Sequence, residues 1–129
     1  MKVNPIDILP TQDFLKPGTV EYIFGCIADG AESGLPPSPI VRKNLEGGLL
    51  AIDGHNLIAV RLALGEDIEV HLAESKDDGL EVKDQKDIDR NADLLEKYNQ
   101  VPELRAQTVL AGVVTFQDLI NRNQNLFNG

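Results

Sequence analysis

Residues 49–65 read LLAIDGHNLIAVRLALG, and this stretch decides the fold. Leu49, Leu50, Ala51 and Ile52 make a short apolar run of strand type that stops at Asp53-Gly54-His55. A second run starts at Asn56, where Leu57, Ile58, Ala59, Val60, Leu62, Ala63 and Leu64 are apolar and only Asn56 and Arg61 interrupt. Gly54 permits a tight turn between the two, and Gly65 has the position of a helix C-cap. The expectation is strand, turn, helix. A helix so apolar is buried on nearly all sides or covered by a partner, and one face could be lost in a homodimer.

Reading outward, Ile40-Val41-Arg42 and Gly48 to Ile52 flank a Gly47-Gly48 turn and predict a two-stranded hairpin. The Gly34 to Pro39 run before it is punctuation. Thr19 has the character of an N-cap, and Val20, Ile23, Phe24 and Ile27 repeat along one helical face towards Gly30. Lys2 to Leu9 alternates and predicts a short edge strand, because Pro5 would not suit a central one. Downstream, Asp67 to Leu72 alternates again as a strand. Ser75 to Lys86 is polar and acidic and reads as a loop. Asp87 then caps a helix to about Tyr98 with Ile88, Leu94, Leu95 and Tyr98 inward, and Pro102 begins a further element. Val109 to Val114 fits a buried strand or a buried helix equally. Thr115 and Asp118 form a capping box for a helix over Phe116 to Arg122, and the Asn-rich tail is expected to fray.

The sum is one α+β domain, with a core over residues 1–74 and an acidic loop and helical extension over 75–129 packed on it. The chain has 129 residues, enough for one core and too few for two. No apolar run approaches the roughly 20 residues that span a bilayer, and the N-terminal stretch is broken by Pro5, Pro10 and Pro17, so no membrane partner and a cytoplasmic location are expected. The single cysteine, Cys26, has no partner for a disulfide or a thiolate zinc site and reads as a small buried apolar residue. Residues 66–104 carry 13 acidic and 5 basic side chains, which is nearly all of the net charge of −9. Nowhere do Lys and Arg cluster, which argues against direct DNA binding. The acidic segment lacks the spacing of a calcium loop and reads as a solvated face, and His71 as an outward residue of its strand.

Pro39-Ile40-Val41, followed by Ala51-Ile52-Asp53-Gly54-His55 and a helix closing in Ala63-Leu64-Gly65, resembles the ParB N-terminal-like / sulfiredoxin-like superfamily. Members carry a P-I-x-V strand, an I-D-G-H-x-R turn and a helix ending in L-G. The resemblance covers roughly residues 3–72. It implies a ParB/sulfiredoxin-like small mixed sheet with packed helices, and a turn that receives nucleotide phosphates. The physical basis is general: a glycine turn into a helix presents free N–H groups and the positive end of the helix dipole. This chain departs at Leu57, where the family has the arginine that completes the phosphate clamp. Arg61 lies one turn further on. The sulfiredoxin branch needs a cysteine where this chain has Gly54, and the chromosome-partitioning branch needs a different turn and a DNA reader. The branch that phosphorylates free serine is nearest; it uses Asp-Gly-His-x-Arg and an acid after the first strand, where Gln12 and Asp13 stand here.

The resemblance therefore implies nucleotide binding, together with Mg²⁺, through Gly54, His55, Asn56 and Arg61. Phosphotransfer or hydrolysis would employ Asp53, His55 and Asp13. Asp53 reads either as a carboxylate that orients His55 or holds a metal-bound phosphate, or as the N-cap of the following helix. His55 reads as a phosphate contact or proton carrier, or as a structural hydrogen-bonding residue at a helix start. Asp13 reads as a general base or as a turn residue. The alternative for the whole chain is a catalytically inactive, homo-oligomeric interaction module of the same fold.

Overall fold

The Leu49–Gly65 stretch folds as its pattern predicts. In the computed structural model, which describes residues 1–44, 46–73 and 85–127, a strand over Leu49–Asp53 turns at Gly54 into a helix over His55–Leu64. The strands, in chain order, are β1 (Lys2–Val3), β2 (Ile8–Leu9), β3 (Ile40–Lys43), β4 (Leu49–Asp53), β5 (Ile68–Glu69) and β6 (His71–Ala73). The helices are α1 (Pro17–Ala28), α2 (His55–Leu64), α3 (Gln85–Leu110), α4 (Phe116–Arg122) and α5 (Gln124–Phe127).

β3 and β4 form the expected antiparallel hairpin, closed where the Asn44 N–H donates to the Gly48 carbonyl at 2.8 Å. They are the centre of a four-stranded mixed sheet in the order β2-β4-β3-β6, with both outer pairs parallel. The β3–β4 register shifts between Ile40 and Val41, opposite the end of β4, and a bulge of this kind re-aims the strand as it enters the Gly54 turn. The class is α+β. Along β4, Ala51 joins the core under α1, α2 and α4, whereas Leu50 and Ile52 join a second cluster with Leu94 and Val101 of α3. Both faces are covered by helices, which is why the strand is apolar throughout and does not alternate with polar residues.

α2 buries Leu57, Ile58, Ala59 and Val60 against α1, α4 and the turn over Pro5–Asp7. Those four side chains are packed within the chain, while Ala63 and Leu64 at the end of the helix are exposed. The departures are local. Lys2 to Leu9 is split: Asn4 caps a single 3-10 turn over Pro5–Asp7, so β1 pairs with β5 and β2 with β4. Asp67 to Leu72 is likewise divided, β5 serving the small two-stranded sheet and β6 the edge of the larger one. α1 begins at Pro17 with Lys16 as N-cap, which leaves Thr19 inside the helix; proline favours the first helical position, where its missing N–H costs nothing.

α3 runs unbroken through Pro102, where a new element was expected, and ends at Leu110. Val113 is buried just after the turn that follows it, outside any strand or helix, while Val109, Leu110 and Val114 are exposed. Of the acidic stretch read as a loop, residues 75–84 lie outside the described residues, while Gln85 and Lys86 belong to α3. The capping box at Thr115 and Asp118 is present in both directions. The tail is packed through α5, with the Phe127 ring edge-on to Phe24 at 5.6 Å. Cys26 is a half-buried free thiol and His71 is exposed. Among the described residues no helix is long and apolar enough to cross a membrane.

Candidate functional site at the start of helix 2

Gly54 makes the turn possible for two separate reasons. Its φ is +88°, a left-handed conformation that costs other residues about 1–2 kcal/mol. A β-carbon there would also stand 2.7 Å from Pro39 Cβ and 2.9 Å from its Cα. Pro39 and Gly54 therefore meet at the end of the β3–β4 pair, where Ile40 stands opposite Asp53. With glycine as N-cap, no side chain accepts from the leading N–H groups of α2 among the described residues.

His55 points into the protein. It is 4 % exposed, its ring lies 5.5 Å from that of Phe116, and its Nε2 accepts the Thr11 backbone N–H at 3.0 Å. The Thr11 hydroxyl, 3.3 Å from the same nitrogen, donates to the Ala51 carbonyl, so the imidazole is a neutral acceptor at Nε2 with its proton on Nδ1. Burial, with a smaller contribution from the Lys97 charge, lowers its pKa to about 3. The ring ties the segment after β2 to the start of α2 in its uncharged form.

Asp53 ends β4 and is half-exposed; its Oδ1 lies 3.7 Å from Nζ of Lys97, which projects from α3. It does not cap α2, since Gly54 occupies the N-cap position. Asn56 Oδ1 accepts the Lys16 N–H at 2.9 Å and so joins the starts of α1 and α2. Lys97 is the residue that sequence reasoning missed. It comes from a helix distant in sequence and carries no local signature, and it supplies a cation beside the turn.

The remaining predicted site residues stand elsewhere. Asp13 is exposed, 4.0 Å from Arg122 of α4, and no hydrogen bond or ion pair among the described residues links it to Asp53 or His55. Arg61 sits near the far end of α2, where its two terminal nitrogens meet Glu66 and Glu32, each at 3.2 Å. Leu57 is part of the core. Among the described residues no group of three His, Cys, Asp or Glu side chains could hold a metal ion. The turn thus offers one carboxylate, one ammonium group and a set of backbone donors. The chain matches no family profile, no characterised protein and no solved structure.

Proposed function

We propose that the protein is a ParB/sulfiredoxin-like domain that binds the phosphates of a nucleotide at the start of α2, with Lys97 in the role that the missing arginine would fill. The observation that carries this reading is the pairing of an uncapped helix N-terminus with the Lys97 ammonium group beside it. Free N–H groups and the helix dipole favour an anion, and lysine serves phosphate as a point charge where arginine would serve it as a fork. Asp53 opposes an anion directly. It fits a phosphate that arrives with Mg²⁺, which would neutralise the carboxylate; among the described residues no group of three His, Cys, Asp or Glu side chains is placed to hold such an ion.

Binding is better supported than chemistry. His55 is neutral and committed to Thr11, and Asp13 is engaged by Arg122, so phosphotransfer or hydrolysis would fall to Asp53 among the predicted catalytic residues. The test is a thermal-shift series with ATP, ADP, CTP and GTP, each with Mg²⁺, on the native sequence and on Lys97→Gln. A ligand at about 100 times its Kd adds roughly 2.7 kcal/mol, which for a domain of this size raises Tm by about 5 °C or more. The expected result is such a rise for at least one nucleotide and its loss in Lys97→Gln. A flat response to all four would refute the reading.

A further inference from the structure

Four large apolar side chains stay uncovered where the end of α3 meets the segment after β2. Leu110 is 88 % exposed, Phe14 52 %, Val114 45 % and Val109 41 %. Two links hold them on one face. Phe14 lines a cavity of about 220 Å³ with Leu104, Gln107 and Thr108, and Gln107 stands one helical turn before Leu110 on the same side of α3. Nη1 of Arg105 donates to the carbonyls of Pro10 and Val114 at 3.1 and 2.8 Å, so the chain beyond α3 lies against the segment that carries Phe14. Single exposed apolar residues are ordinary. These four together expose on the order of 400 Å², the size at which the largest apolar patch of a monomer is often functional.

The charge of the chain says what fits this face. Residues 1–20 and 101–129, which build it, carry four acidic and four basic side chains; residues 21–100 carry 17 and 8, and therefore the whole net charge of −9. Two copies brought together through the middle of the chain would set like charges against each other. Through this face, an uncharged surface meets an uncharged one. Three of the ionised groups around it are already engaged: Arg105 by its two carbonyls, Asp118 by the N–H groups of Val114 and Thr115, and Asp13 by Arg122 at 4.0 Å. Covering them leaves no lone charge among the three to be stripped of water. A strongly basic partner is drawn to the acidic residues 21–100 instead, whereas a second copy brings the matching uncharged apolar face with it.

We infer that this face is the contact between two copies of the chain, related by a two-fold axis, with Leu110 of each copy buried in the contact. A two-fold contact is self-complementary, so one apolar face is enough to build it. Two such faces with their polar borders bury about 1,000 Å² in total, the low end for specific interfaces. The dimer is accordingly weak and depends on concentration. Because the net charges of the two copies repel through the solvent, added salt strengthens it. The contact is independent of the phosphate-site reading.

Sedimentation equilibrium of the full chain from about 10 µM to about 1 mM tests this, a range that brackets weak association. The expected mass climbs from 14.1 kDa towards twice that value, and does so at lower concentration in about 0.5 M than in about 0.05 M NaCl. Leu110→Glu and Leu110→Lys should each weaken association by about tenfold or more. Both should keep the far-ultraviolet circular dichroism of the native sequence, since the side chain is exposed in the monomer. A purely electrostatic effect would move the two variants in opposite directions. Leu64→Glu, at the exposed end of α2, should leave association in place. A monomer at every concentration and salt overturns the inference and leaves the face to a different protein. Association that survives both Leu110 variants, or is lost in Leu64→Glu instead, overturns it too, as does a dimer that salt dissolves.

Discussion

The two ends of α2 are both built on glycine and are finished in opposite ways. At the C-terminal end, Gly65 at φ +70° lets the Glu66 N–H reach the Arg61 carbonyl at 3.0 Å and its own N–H reach Leu62 at 3.1 Å. This is the double closure of a Schellman motif. Arg61 adds ion pairs to Glu32 and Glu66 over the same turn. At the N-terminal end Gly54 provides no side-chain acceptor, and a cation, Lys97, is brought in from another helix to pair with Asp53. The C-terminal end is closed by its own neighbours; among the described residues no side chain caps the N-terminal end. The difference sets the start of α2 apart as the end without a side-chain cap.

The comparison is broken most severely at Gly54. Gly54→Ala combines a left-handed backbone with a β-carbon 2.7 Å from Pro39, and the two costs, about 1–2 and 1–3 kcal/mol, suggest a loss of roughly 2–5 kcal/mol in urea unfolding. Gly65→Ala meets nothing within 4 Å and carries only the backbone cost, roughly 1–2 kcal/mol. Equal losses at the two positions would contradict the claim that Gly54 is locked by Pro39.

Acid titration sharpens the role of His55. Its pKa is about 3 when folded against an ordinary 6.5, so below pH 6.5 the unfolded chain takes up a proton that the folded chain refuses. Stability is therefore flat above that pH and falls as the pH drops from 6.5 towards 3, by about 2–3 kcal/mol near pH 4.5 at 1.36 kcal/mol per unit. His55→Gln should lower stability at neutral pH and flatten the dependence between pH 6.5 and 4.5. A variant whose stability still falls as steeply over that interval would place the titrating group elsewhere.

The smallest expected effect lies at the closed end. Arg61 is partly shielded, but its two glutamate partners are well exposed, so Arg61→Ala should cost about 1 kcal/mol or less, and the cost should shrink with added salt. It should leave any nucleotide response untouched, since the residue serves the opposite end from the proposed phosphate site. Loss of the response in this variant would restore Arg61 to the site.

Elements whose signals are local were legible in the sequence. The Gly47-Gly48 hairpin, the strand–Gly54–helix passage and the Thr115–Asp118 capping box each depend on residues within a few positions of one another. Elements decided by distant partners were not. Lys2 to Leu9 and Asp67 to Leu72 carry one alternating pattern each, but pairing with two different sheets divides both. Pro102 stays inside α3 because Arg42, from another strand, accepts the task of satisfying Tyr98. The site followed the same rule. The turn itself was visible in Asp53, Gly54 and His55, whereas the inward commitment of His55 to Thr11 and the arrival of Lys97 are products of tertiary packing.

The central claim is that the start of α2 is an anion site completed by Lys97. Its most direct measurement is a titration of the ¹⁵N-labelled protein with inorganic phosphate, following every backbone amide in two-dimensional ¹H–¹⁵N spectra. The account predicts saturable shifts that are largest for His55, Asn56 and Leu57 and that vanish in Lys97→Gln. Shifts centred on another region, or unchanged in Lys97→Gln, would contradict it.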